Sequence, residues 1–136
     1  MLRFSPQHAG GEEIEIVGHD LGFVRVFKFA DYPQVIAHLG PDILAEDWEV
    51  SGREEAIARI MQRPERTLGA ALLDQKNVAG IGNEYRAEVM FLVGMHPEVK
   101  VGQVGEVGVT KTIDLARRLM WDNRLEPHRV FTGDRR

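Results

Sequence analysis

Two glycines and an asparagine between two apolar runs are the residues of this sequence best suited to gripping a ligand. They lie in TLGAALLDQKNVAGIGNEYRAEVMFLVGMHP, residues 67–97. The pattern predicts helix, glycine-rich turn (Val78 to Gly82), helix. Ala71, Leu72 and Leu73 give a first helix, Leu68 to about Asn77, its apolar side. Tyr85, Val89, Leu92 and Val93 recur at helical spacing in a second helix that starts near Asn83, with Asn83 as its N-cap. Gly80 and Gly82 carry no Cβ, so the backbone there can reach positive φ and lie close against another molecule. The first N–H groups of the second helix have no partner within it, and its dipole makes that end partly positive. A phosphate suits such an end. Asn83 adds a side-chain donor, and Lys76, just before the turn, adds a charge. Gly80, Gly82, Asn83 and Lys76 are therefore the expected phosphate-binding residues. Such a grip holds a nucleic-acid backbone and reads no base sequence.

Other combinations are weaker. His8, His19, His38 and His128 show no metal-like spacing, and a chain without cysteine has neither disulfides nor thiolate metal sites. His96-Pro97 reads as a helix terminator and surface turn. Asp42, Glu46, Asp47 and Glu49 read as a solvated acidic linker rather than an acid–base pair. Tyr85 and Glu88, one turn apart, suit hydrogen bonding inside the domain. Arg117, Arg118, Arg124, Arg129, Arg135 and Arg136 each read as surface charge. No catalytic residue is expected.

LLDQKNVAGIGNEYRAE, followed by MHP, closely resembles the helix–two-turns–helix segment of the formamidopyrimidine-DNA glycosylase and endonuclease VIII family. Leu39-Gly40-Pro41-Asp42 resembles that family's link between its β domain and its helical domain. The likeness covers roughly residues 14–136, which is only part of a family member. It implies base-excision repair: a damaged base is flipped out and its glycosidic bond cleaved. It also implies an N-terminal proline amine that forms a Schiff base, a neighbouring glutamate, a lysine on a β-hairpin, and a C-terminal four-cysteine zinc finger. This chain departs at both ends. Residue 2 is Leu2, residue 3 is Arg3, and no cysteine is present. The matching positions are the DNA-holding module, so the resemblance implies a partner, damaged double-stranded DNA, without the reaction centre or a cofactor in this chain.

Composition fits that reading. The 136 residues can bury one core. No apolar run is long enough to span a membrane, and the N-terminus lacks a secretory h-region. A cytoplasmic, nucleoid-associated monomer is the expectation. Net charge is −4, but residues 1–50 carry −6 and residues 51–136 carry +2, so the basic half holds the glycine turn. The expected fold is mostly α, with a short N-terminal β-hairpin left from a β-sandwich, α+β overall. Residues 1–38 are expected as that remnant, 39–50 as a linker and 51–136 as the DNA-binding domain. In detail, 1–13 read as loop, Ile14–Val17 and Phe23–Phe29 as strands, and Asp31–Ala37 as a short helix. Ser51, with Glu54, reads as a capping box before a helix to about Gln62. Residues 98–108 read as loop, and Val109 to about Asn123 as a last helix. The rival readings are a non-catalytic nucleic-acid-binding module, which a pI near 5.7 disfavours, and a helical protein-binding scaffold.

Overall fold

The computed structural model describes residues 2–4, 16–18 and 27–126. The chain divides into two compact units, Met1–Val35 and Ile36–Arg136. In the first, β1 (Leu2–Phe4) pairs antiparallel with β2 (Ile16–Gly18), Arg3 facing Val17 in register. The expected first strand is thus met in part by β2. Its partner, however, comes from the segment read as loop. Phe23–Val26 lie outside the described residues. Phe29 is not in a strand: Phe29–Asp31 form a 3-10 turn that leads into α1 (Tyr32–Ile36).

The second unit is helical, with α2 (Arg53–Met61), α3 (Leu68–Leu73), α4 (Asn83–Leu92) and α5 (Val101–Asn123). Ala56, Ile57 and Ile60 of α2, Leu68 and Leu72 of α3, Val89 of α4 and Ile113 of α5 meet in one core. Each follows helical spacing, which places the apolar residues of a helix on one stripe.

The segment read as a linker, 39–50, belongs to this core. Ile43 and Trp48 are both fully buried. Residues 40–43 run alongside residues 75–79 as a strap. Gly40 N–H donates to the Gln75 carbonyl (2.8 Å), Ala79 N–H to the Pro41 carbonyl (2.9 Å) and Ile43 N–H to the Ala79 carbonyl (3.0 Å). The acidic residues here are in part structural, because Asp42 Oδ1 accepts the Leu44 N–H at 2.8 Å. Arg117, read as surface charge, is half-buried: its Nη1 donates to the Ile43 carbonyl at 2.6 Å. Its guanidinium lies 4.0 Å from the Trp121 ring centre, and that of Arg124 lies 3.8 Å from it.

Three helix boundaries differ from expectation, each for a local reason. Ser51 is not an N-cap. Trp48–Gly52 form a wide helical turn that feeds directly into α2, and Gly52 is already helical (φ −61, ψ −41). A cap needs an extended residue at the boundary, and there is none. The first helix of the organising segment stops at Leu73 rather than near Asn77. There Asp74 turns extended (ψ 105), and Gln75 and Asn77 side chains donate to the Leu73 and Ala71 carbonyls in place of helical N–H groups. Finally, 101–104 and 106–108 are helical rather than loop, on either side of a break at Gly105. Gln103 Oε1 accepts the Lys100 N–H at 3.2 Å, and Gly105 (φ 72) kinks the chain before the long remainder of α5.

Two predictions follow from these contacts. A Cβ on Gly40 would lie 2.6 Å from the backbone of Asn77. Gly40→Ala is therefore expected to cost about 3 kcal/mol in chemical denaturation, because backbone rather than a flexible side chain must move. The Arg66 guanidinium, 2.6 Å from Asp74, holds that carboxyl below its ordinary range. A depressed folded-state pKa stabilises above the unfolded value and is lost as pH falls through the folded one. Arg66→Ala is thus expected to lower the melting temperature most near neutral pH, and its deficit should shrink steadily as acid protonates Asp74.

Candidate nucleic-acid interface

The turn between α3 and α4 is assembled from backbone and one amide side chain. Gln75 Nε2 donates to the Leu73 carbonyl (3.2 Å) and the Ile81 carbonyl (3.1 Å), while its Oε1 accepts the Gly80 N–H (2.8 Å). One half-buried side chain therefore ties both limbs of the turn together. Val78 and Ile81 are buried beneath it. Sequence reading gave Gln75 no role. Its polar type at the end of an apolar run was the available signal.

The two glycines differ. Gly80 has φ +112, a conformation that side chains rarely adopt, and a Cβ there would lie 3.1 Å from Ile43 Cγ2. Its N–H is committed to Gln75 Oε1, so in this structure Gly80 shapes the bend. Gly82 is extended (φ −102, ψ −179), and a Cβ on it would meet nothing within 4 Å. The fold itself gives no reason for glycine at position 82.

Gly82, not Asn83, is the N-cap of α4, and no side chain caps the helix. The cause is local: Gly82 is the last extended residue and Asn83 the first helical one. Asn83 is exposed, and its amide group makes no hydrogen bond among the described residues. The backbone N–H groups of Gly82 and Asn83 likewise have no protein acceptor there. This leaves donors unpaired among the described residues at the positive end of a ten-residue helix whose first residues are exposed. Lys76 presents an exposed ammonium, while its backbone is anchored at both ends: N–H to Asp74 Oδ1 (3.0 Å), carbonyl from Arg59 Nη1 (2.6 Å).

The remaining expected residues are structural. Tyr85 is buried, and burial pushes its hydroxyl pKa up. Glu88 is half-buried on the same helix. His96 Nδ1 accepts the Glu98 N–H at 3.2 Å, closing the surface turn after α4. Arg129, Arg135, Arg136 and His128 lie outside the described residues. Sequence reading missed Arg86, one turn into α4 from Asn83, whose Nε is out of water with no hydrogen-bond partner among the described residues. Among the described residues no three His, Asp or Glu side chains gather to hold a metal.

Comparison with known proteins agrees with this architecture. The Formamidopyrimidine-DNA glycosylase H2TH domain matches residues 39–121. Endonuclease 8 2 of Mycobacterium bovis is 39% identical over 125 residues, covering 92% of this chain and 47% of that protein. The DNA-(apurinic or apyrimidinic site) lyase Nei2 of Mycolicibacterium smegmatis is 37% identical over 120 residues, 88% of this chain and 46% of that protein. The chain thus spans about half the length of these relatives. Among solved structures, the Lactococcus lactis Fpg complexed with abasic-site DNA superposes with a TM-score of 0.59 at 23% identity, over 70% of this chain and 34% of that one. The MutM (Fpg) protein of Thermus thermophilus gives 0.57 at 23%, with the same coverages. These two show the fold, and the matched domain with the 37–39% identities shows the family. The chain belongs to the formamidopyrimidine-DNA glycosylase and endonuclease VIII family, of which it carries the helix–two-turns–helix domain.

Proposed function

We propose that this chain is the DNA-holding portion of a base-excision-repair glycosylase and AP lyase acting on oxidised bases and abasic sites. In this reading it grips one backbone phosphate of damaged double-stranded DNA at the entrance of α4. The observation that carries the reading is the cluster of donors at Gly82 and Asn83. Two backbone N–H groups and one side-chain amide face solvent at the positive end of a helix, with nothing crowding Gly82. A phosphate oxygen accepts from such groups by charge-assisted hydrogen bonds. Lys76 supplies a nearby cation, and Gly80 with Gln75 sets the bend. The names of the relatives, an endonuclease and an AP lyase, support the substrate class.

The chemistry belongs to other residues. The resemblance implies an amine nucleophile on a proline and a glutamate beside it. Here positions 2 and 3 are Leu2 and Arg3. Zinc, implied for a C-terminal finger, finds no thiolate in a sequence without cysteine, and no step is assigned to it. In this reading the helical unit holds DNA, and no catalytic role is assigned to its residues. Its expected place is the chromosome in the cytoplasm, as a monomer. No helix among the described residues is long and apolar enough to cross a membrane.

One observation favours a purely structural turn: Gln75 already occupies the Gly80 amide. The two glycines separate the readings. Gly80→Ala is expected to cost about 3 kcal/mol of stability, through backbone strain and the Ile43 contact. Gly82→Ala is expected to stay within about 1 kcal/mol of the parent, yet to weaken duplex binding because a methyl group stands where the strand approaches. Asn83→Ala should lower affinity about tenfold with an unchanged melting curve. A Gly82→Ala and Asn83→Ala pair that binds duplex like the parent in fluorescence anisotropy rejects the grip. Borohydride trapping on abasic DNA is expected to give no covalent adduct above background; an adduct would reveal an amine nucleophile in this chain.

A further inference from the structure

A second cleft, about 320 Å³ in volume, opens beside the turn. It is lined by Arg59, Gln62 and Arg63 from α2 and its C-terminal cap, and by Asp74, Lys76 and Asn77 from the segment leading to Gly80. Three of the six are cations. The one acid is already occupied, since Asp74 Oδ2 lies 2.6 Å from Arg66 Nη1 and Oδ1 accepts the Lys76 N–H. Arg59 pairs with Glu55 and donates to the Lys76 carbonyl, which fixes α2 against the turn. The side chains of Arg63 and Lys76 are exposed and neither forms a salt bridge among the described residues, although the Lys76 charge lies near enough to help hold the Asp74 carboxyl down. Two exposed cations without a salt bridge among the described residues therefore share a cleft with the amides of Gln62 and Asn77. The Asn77 amide is partly used, donating to the Ala71 carbonyl. Gln75, adjacent to Lys76, bonds the Ile81 carbonyl, so the cleft and the entrance of α4 are parts of one braced turn.

We propose that this cleft is a second backbone-phosphate site on the same duplex. Arg63 and Lys76 contact the phosphate, and Arg59 positions the Lys76 segment. The proposal rests on the duplex-binding reading above and extends the footprint from α4 to α2. A phosphate accepts readily from a guanidinium and an ammonium together, and each phosphate neutralised releases condensed counterions. Contacts of this kind hold the strand without reading bases.

The test is fluorescence anisotropy of the full chain with a labelled duplex across a salt series. Arg63→Ala is expected to weaken binding about three- to tenfold at low salt, and to flatten the slope of log affinity against log salt by about 0.9. Lys111→Ala removes the same charge from α5 outside the cleft and is expected to change neither beyond about twofold. Arg63 is exposed, so its variant should keep the parent melting curve. If Asn83→Ala weakens binding while Arg63→Ala leaves affinity and slope unchanged, the second site is overturned and the grip at α4 stands. If Arg63→Ala weakens binding and Asn83→Ala does not, the cleft is supported and the grip at α4 falls. A chain that binds no duplex at the lowest salt overturns both.

Discussion

Three main-chain hydrogen bonds between residues 40–43 and residues 75–79 are the constraint on which the helical unit depends. Between α3 and α4 the chain runs through nine residues, 74–82, with no regular structure of their own. Left to themselves they would cost roughly 1–2 kcal/mol per residue to hold in one conformation. The strap gives their backbone groups partners, and Gln75 adds a brace across the bend. Gly40 has to be glycine for the two backbones to come this close. Ile43, carried in by the strap, then packs under Gly80 and anchors Arg117 of α5 through its carbonyl. One short pairing thus locates α4 against α5 and fixes the direction in which α4 begins. A binding surface held this way loses little conformational freedom when a ligand arrives.

Charge works locally in this molecule rather than globally. The whole chain is −4, and such a field repels a polyanion at long range. Beyond about 8 Å, physiological salt screens most of that repulsion. Inside that distance the arrangement of individual groups decides. Near the turn Asp74 is bound to Arg66, and Asp114 accepts Nε and Nη2 of Arg53, at 2.7 and 2.8 Å. These carboxylates are in salt bridges, while Lys76 and Arg63 form none among the described residues. An acidic protein can in this way present a cationic edge, at the expense of a slower encounter with its partner.

What could be read from the residues alone was whatever repeats at short range. The apolar stripes of α2, α4 and the later part of α5 were legible because they recur every three to four residues. The glycine bend was legible because so few residue types tolerate it. The strap was not, since Gly40 and Asn77 are thirty-seven positions apart and nothing local marks their contact. That is why residues 39–50 looked like a linker, although Trp48 and Ile43 are fully buried. Ser51 misled for a related reason: its capping pattern is intact, but the wide turn from Trp48 overrides it by continuing helical dihedrals through Gly52. The helix over 101–104 was hidden by valine and glycine, poor helix formers. It is held by bonds from Val101 and Gly102 to the Arg66 and Pro64 carbonyls. For the strap and for 101–104 a partner distant in sequence outweighed local preference.

Gly80 and Gly82 look equivalent in sequence and are not. Everything about Gly80 is explained inside the protein: its positive φ, its crowding by Ile43 and its bond to Gln75. Nothing about Gly82 is. Its dihedrals suit any residue, and the space above it is open. A serine or aspartate there would cap α4 and stabilise it by a few tenths of a kcal/mol over glycine. Such a side chain would also occupy the very N–H groups that now face outward. A helix start without a side-chain cap, followed by an asparagine whose amide is unengaged, makes physical sense when the acceptor comes from another molecule. The stability given up at position 82 is small, and what it leaves open is a pair of N–H donors that no described residue takes up.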